Sequence, residues 1–258
     1  MKNILVPSLL AASLLSVTGI AQAQAAESTL TFNAGVVSDY RYRGLSQTRF
    51  GPAVQGGVDY ADKSGFYVGA WASTIRWIKD AGVMGSSNTG EVKGPIELDL
   101  YGGYKGTAGA INYDLGFLRY EYLGNTLERT TTFRNANTNE VYGAITVGAF
   151  TAKYSHALSN LFGNADSKNS YYIDLNATFD LGDGLSVVPH VGYQKLAGAA
   201  NADGTYTDYS LTLAKDMGKG LTLTAAAVGT DAKKSFYPTP KNKGMGASGV
   251  VIGAKYTF

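Results

Sequence analysis

The sequence closes on Gly249-Val-Val-Ile-Gly-Ala-Lys-Tyr-Thr-Phe258, and its side chains alternate. Val250, Ile252, Ala254, Tyr256 and Phe258 share one parity; Val251, Gly253, Lys255 and Thr257 share the other. Period-two alternation describes a strand with one apolar and one mostly polar face. A soluble protein rarely leaves such a strand exposed, because its unpaired edge invites aggregation. A closed barrel in lipid gives the strand a neighbour on each side and solvates its apolar face with acyl chains.

The composition agrees with that reading. The chain has 258 residues, with 33 Gly, 18 Tyr and 6 Pro, a profile of Gly- and Tyr-rich β-proteins rather than soluble α/β enzymes. The net charge of +2 implies no large basic face for nucleic acid. Zero cysteines exclude a disulfide framework, and two histidines argue against structural zinc. No cofactor is expected.

Residues 1–25 read as a signal peptide. Lys2 precedes a mostly apolar run from Ile4 to Ile20, and small-x-small sites at Ala21–Ala23 and Ala23–Ala25 place cleavage near residues 23–26. Pro7 and the shortness of the run disfavour a membrane anchor, and no later run is long enough for a helical span. Residues 27–258 then form one barrel domain.

Twelve alternating segments follow, beginning with Thr29–Tyr40, Ala53–Ala61 and Phe66–Ile78 and ending with Gly249–Phe258. Their connections alternate long and short from the first to the last. The expected fold is all-β: a 12-stranded antiparallel transmembrane up-and-down barrel with short periplasmic turns and long extracellular loops. A secreted β-sandwich has the same periodicity. Aromatic placement separates them: Tyr60, Tyr104, Tyr113, Phe150, Phe179 and Phe258 lie near short turns, and Tyr122, Tyr171 and Tyr206 near long loops, as two interfacial girdles.

Two regions resemble the TorF-type porin family of Gram-negative bacteria. The first is Phe32-Asn-Ala-Gly-Val-Val-Ser-Asp-Tyr-Arg-Tyr-Arg-Gly-Leu-Ser-Gln47. The second runs through Pro52–Ala61 and Gly65–Ser73. The resemblance is strongest over residues 30–80 and implies an outer-membrane location and a pore. The terminal Phe258 also resembles the closing strand that the barrel-assembly machinery reads in outer-membrane barrels. The partners expected are therefore outer-membrane lipid, that machinery and small polar solutes.

The polar parity faces the lumen and places Asp59, Glu97, Asp99, Asp114, Asp174, Asp180 and Asp208 there, with Lys105, Lys153 and Lys255. Wet charges of this kind tune the passage of ions and polar solutes. The sharpest local feature is the first loop, where Asp39, Arg41, Arg43 and Arg49 surround Gly44. Arg41 and Arg43 at spacing two share a face of an extended chain and suit an anionic group. The loop would then fold inward as a constriction; otherwise it is a structural hairpin end with Asp39 paired to an arginine.

The expected function is a porin-like channel for passive diffusion of small polar or ionic solutes. The alternatives are a closed structural or adhesive barrel, its lumen filled by Tyr67, Trp71, Tyr101 and Tyr172, and an outer-membrane hydrolase using His190. No His-x-Ser or paired-acid motif supports the hydrolase. Gly244–Gly249 fits G-x-G-x-x-G but precedes a strand rather than a helix, so it is loop glycine.

Overall fold

The computed structural model describes residues 27–84 and 91–258; the expected leader lies outside the described residues. The wall consists of β1 (Thr29–Val37), β2 (Ala53–Ala61), β3 (Phe66–Thr74), β4 (Ile96–Ala108), β5 (Ile111–Leu123) and β6 (Thr138–Val147). It continues through β7 (Phe150–Ala157), β8 (Tyr171–Ala177, resumed at Phe179–Gly182), β9 (Leu185–Lys195), β10 (Tyr206–Asp216), β11 (Leu221–Thr230) and β12 (Gly249–Thr257). Each strand pairs antiparallel with the next, and β12 returns to β1. The sheet is thus a closed 12-stranded barrel without an edge among the described residues.

The seam is tight. Ala34 faces Tyr256 and Val36 faces Ala254, and the Phe32 and Phe258 backbones exchange N–H···O bonds of 2.8 and 3.0 Å. The Phe32 and Phe258 rings stack at 5.9 Å outside the seam. Lys255 sits opposite Gly35, and Thr257 opposite Asn33. Pairing of the first and last strands by alternation alone sets Lys255 near Asn33 and Thr31; the register instead puts it two residues past Asn33.

Parity sorts the two faces. Leu30, Val54, Phe66, Leu115, Phe150, Leu211, Val250 and Ile252 are exposed on the outer wall, while Thr31, Gln55, Trp71, Glu97, Tyr142 and Gln194 are buried inside. A wall apolar outside and polar inside suits lipid around and water within. The girdle needs correction. Tyr122 and Tyr206 point inward and are buried, so the outer aromatics near the long loops are Tyr154, Tyr171, Tyr193 and Tyr209.

A second correction concerns β3, which stops at Thr74 instead of reaching Ile78. The chain turns there into a helix, α1 (Trp77–Met84), with Ile78, Asp80 and Ala81 buried. The Gln47 carbonyl accepts hydrogen bonds from the Arg76 and Trp77 N–H groups at the helix start. The alternation in Trp71–Ile78 was read as strand, but the first loop captures those backbone donors and bends the chain.

Phe258→Ala removes the stacked ring and should lower the stability of the lipid-embedded barrel by about 1 kcal/mol. Phe258→Tyr should leave it unchanged. Urea unfolding in liposomes reads both; equal stability of all three chains would show that the ring pair adds nothing.

Candidate functional site

The first loop, residues 38–52, turns back into the barrel as a hairpin in which Arg41–Tyr42 pairs with Leu45–Ser46. Arg43 (φ 46°) and Gly44 (φ 76°) form its tip, both in the left-handed region that a tight two-residue turn of this hand demands. A Cβ on Gly44 would lie 2.6 Å from Asp208 and Thr230 side-chain carbons, so glycine is also needed for fit. The loop is long enough to cross from β1 to the far wall, and its residues Asp39 through Thr48 are buried, Arg43 excepted, which is partly buried.

Asp39 organises the base of this hairpin. Its carboxylate accepts from Arg41 Nε at 2.5 Å, Ser46 Oγ at 2.6 Å and Thr48 Oγ1 at 3.2 Å. Arg41 also donates to the carbonyls of Gly44 and Ala247. Arg43 reaches across the lumen, donating through Nη2 to both oxygens of Glu140 (3.0 and 2.8 Å) and through Nη1 to Gln194 at 2.7 Å. Its guanidinium lies 4.4 Å from the centre of the Tyr172 ring, and the Tyr206 hydroxyl donates to its carbonyl. Burial alone would disfavour the charge; the Glu140 carboxylate more than offsets this and holds the Arg43 pKa above the ordinary arginine value. Arg49 takes the opposite direction, to Asp80 of α1. The three arginines therefore meet three separate carboxylates, and Arg41 and Arg43 do not converge on a common point.

Two tyrosines fasten the hairpin to β4 and β5. Tyr40 donates to Glu97 at 2.5 Å, and the Tyr42 and Tyr120 hydroxyls lie 2.6 Å apart. Burial, then the Glu97 and Asp99 charges, push the Tyr40 pKa up, so the phenol stays protonated and able to donate. Tyr40 packs edge-on against Trp71 at 5.5 Å, and Tyr42 against Tyr120 and Phe162. Hairpin and wall together make one buried cluster through the long-loop half of the lumen, including Trp71, Tyr101, Leu118, Tyr120, Tyr122 and Tyr142. Asp99 sits within it, 2% exposed, and its Oδ1 has no hydrogen-bond partner among the described residues.

The short-turn half differs. Asp59, Tyr67, Lys105, Lys153 and Lys255 are only half-buried there, as are Ser210 on β10 and Thr222 and Thr224 on β11. Tyr101 donates to Asp59 Oδ1 at 2.5 Å and Tyr67 to Asp114 Oδ1 at 2.6 Å, with the Tyr142 hydroxyl bonded to that of Tyr67. Asp180 lies at the exposed short-turn rim of β8. Asp174 and Asp208 flank His190: His190 Nε2 is 2.8 Å from Asp174 and Nδ1 is 3.7 Å from Asp208. Both ring nitrogens thus face carboxylates, a poor arrangement for activating a hydroxyl nucleophile. Among the described residues no group of His, Asp or Glu has the geometry to hold a metal ion.

Glu140, Gln194, Tyr120 and Asp80 were missed as site residues. Glu140 shares the inward parity of Tyr142, Ala144 and Thr146, so its facing was readable from β6. Its pairing with Arg43, 97 positions earlier, was not.

Solved structures of similar shape are porins. A KdgM porin in complex with disordered oligogalacturonate aligns with TM-score 0.53 at 8% identity, covering 90% of this chain and 99% of that one. A NanC porin aligns with TM-score 0.53 at 10% identity, covering 88% and 99%. At such identities the likeness shows the fold alone. No curated protein matches the sequence. A family model described as a bacterial protein of unknown function, Gcw_chp, matches residues 21–258.

Arg43→Ala would strand Glu140, whose side chain is 2% exposed. It should destabilise the barrel by about 3–5 kcal/mol. Arg49→Ala removes a 23% exposed arginine from Asp80, whose side chain is 5% exposed, and should cost less, about 1–3 kcal/mol. Urea titration in liposomes compares them, and a larger loss at Arg49 would contradict the assignment of Arg43 as the principal tether.

Proposed function

This chain belongs to the Gcw_chp family of bacterial proteins, and we propose that it works as an outer-membrane, porin-like channel for passive diffusion of small polar or ionic solutes. The short turns would then face the periplasm and the long loops the exterior. The observation that carries the reading is the hairpin of residues 38–52. It enters a barrel whose other half is lined by half-buried charge, and its far end is fastened by side-chain bonds to the wall. A loop folded into a polar tube narrows the passage without abolishing it. The porin folds of similar shape and the TorF-type likeness of residues 30–80 support the same assignment.

In this reading Asp39, Arg41 and Arg43 build the constriction, and Arg49 anchors its outer end to α1. Glu97 and Asp99 form the acidic wall it leans on. Asp59, Asp114, Lys153, Asp174 and Lys255 line the water-filled remainder. Lipid covers the outer wall, and the strand ending at Phe258 is the segment offered to the assembly machinery.

One observation favours a second reading, a closed barrel. The long-loop half of the lumen is packed with buried Tyr40, Tyr42, Trp71 and Tyr120, as a plug would be. Planar-bilayer recording separates the two. Tyr40→Phe combined with Arg43→Ala removes hydrogen bonds from Glu97, Glu140 and Gln194, and conductance should rise several-fold over the unmodified chain. Arg41→Ala combined with Arg43→Ala should shift ion selectivity. If the unmodified chain and a variant with residues 40–47 replaced by a short glycine link are both silent, the channel is refuted and the closed barrel stands.

A further inference from the structure

Six lumen charges in the short-turn half alternate in sign around the wall. From β12 to β8 they are Lys255, Asp59, Lys105, Asp114, Lys153 and Asp174, the last the direct cross-strand neighbour of Lys153. Lys105 and Asp114 are direct cross-strand neighbours, and Ala144 alone separates Asp114 from Lys153 in the next rows. Asp59 lies within electrostatic reach of Lys105 and Lys255, and Asp114 of Lys105 and Lys153.

These charges do not neutralise one another through contact. Among the described residues none of the three ammonium groups is hydrogen-bonded or ion-paired. Lys105 instead lies 4.8 Å from the centre of the Tyr67 ring, and Lys153 4.0 Å from that of Tyr142. Asp59 and Asp114 each have one oxygen held by a tyrosine and the other enclosed without a partner, while Asp174 is bonded to His190 and Asn176. Tyrosines therefore position Asp59 and Asp114, and aromatic faces position Lys105 and Lys153. On β10 and β11 this level holds Ser210, Thr222 and Thr224, with Thr222 directly beside Lys255 and Ser210 directly beside His190.

Resting on the channel reading, we infer that this belt selects small zwitterionic solutes, those carrying one ammonium and one carboxylate. A simple cation or anion meets alternating attraction and repulsion along such an arc. A zwitterion can turn its carboxylate to a lysine and its ammonium toward the negative potential of the neighbouring aspartate, which lies on the next strand, about 4.8 Å away, in the Lys105–Asp114 and Lys153–Asp174 pairs. The free lysine donors suit a carboxylate, and the unpartnered aspartate oxygens leave negative potential between them.

Liposome swelling with four solutes of matched size tests this: alanine (zwitterion), lactate (anion), alaninamide (cation) and lactamide (neutral). Through the unmodified chain, after subtraction of protein-free liposomes, alanine should enter at least ~3-fold faster than each of the others, a rate ratio equal to about 0.7 kcal/mol. Asp59→Asn with Asp114→Asn should put lactate ahead of alanine, and Lys105→Met with Lys153→Met should put alaninamide ahead. Entry of lactate, alaninamide or lactamide through the unmodified chain at the rate of alanine overturns the inference and leaves the channel standing. No entry of any solute, in the unmodified chain and in the variant with residues 40–47 replaced, overturns both. The ranking in the unmodified chain decides the matter even if a variant fails to fold.

Discussion

A backbone N–H or C=O inside lipid has no water to bond, so every strand of this wall must have two neighbours. The β1–β12 seam is where that requirement is met for the last time around the ring. Much else follows from it. Closure makes one face of every strand the outer, apolar face, which removes the polar residues of all twelve strands to a common interior. A barrel of this circumference then holds more polar surface than its own wall can satisfy, and the first loop supplies the missing partners. Glu140 and Gln194 receive Arg43, and Glu97 receives the Tyr40 hydroxyl.

The hairpin is accordingly both core and obstruction. Its rings pack as a hydrophobic core would, with Tyr42, Tyr120 and Phe162 meeting edge to face. Its charge is held in a way a core does not need, by a guanidinium bidentate on one carboxylate and stacked on Tyr172. Apolar residues of similar volume would pack as stably as such an ion pair. In the channel reading, polar tethers with water at one end are instead exchangeable, because a bond broken there can be replaced by one to water. Asp99, buried beside Glu97 with an unpartnered oxygen, is one more polar group enclosed beside the packed hairpin.

Much of this was legible in the sequence, and the illegible parts have a common cause. Alternation fixes which face a residue takes, so the inward facing of Asp59, Asp114, Lys153 and Lys255 and the pairing of the two end strands could be read directly. The short turns were readable from glycines such as Gly65, Gly148 and Gly184, all with positive φ. Alternation does not fix depth, however. Lys255 fell two residues from its expected neighbours because register depends on how the strands shear around the ring. Tyr122 and Tyr206 were assigned to a girdle from their nearness to long loops, when parity alone turned them inward. The destinations of Arg41, Arg43 and Arg49 depend on contacts up to 206 positions away in the chain, between Arg41 and Ala247, and no local pattern encodes them.

Those distant contacts set an order of assembly. Ser46 N–H bonds to the Met245 carbonyl and Arg41 to that of Ala247, and both acceptors directly precede β12. The hairpin lies near the start of the chain, yet its final partners arrive with the last strand. Until that strand is inserted, the hairpin has its partners on β4, β6 and β9 but not those beside β12, and the half-built sheet is a trough, able to admit the loop from the side. Once the seam forms, the ring can no longer be entered laterally. Obstruction and enclosure are therefore completed in one event, and a chain without its last strand has the first only in part and the second not at all.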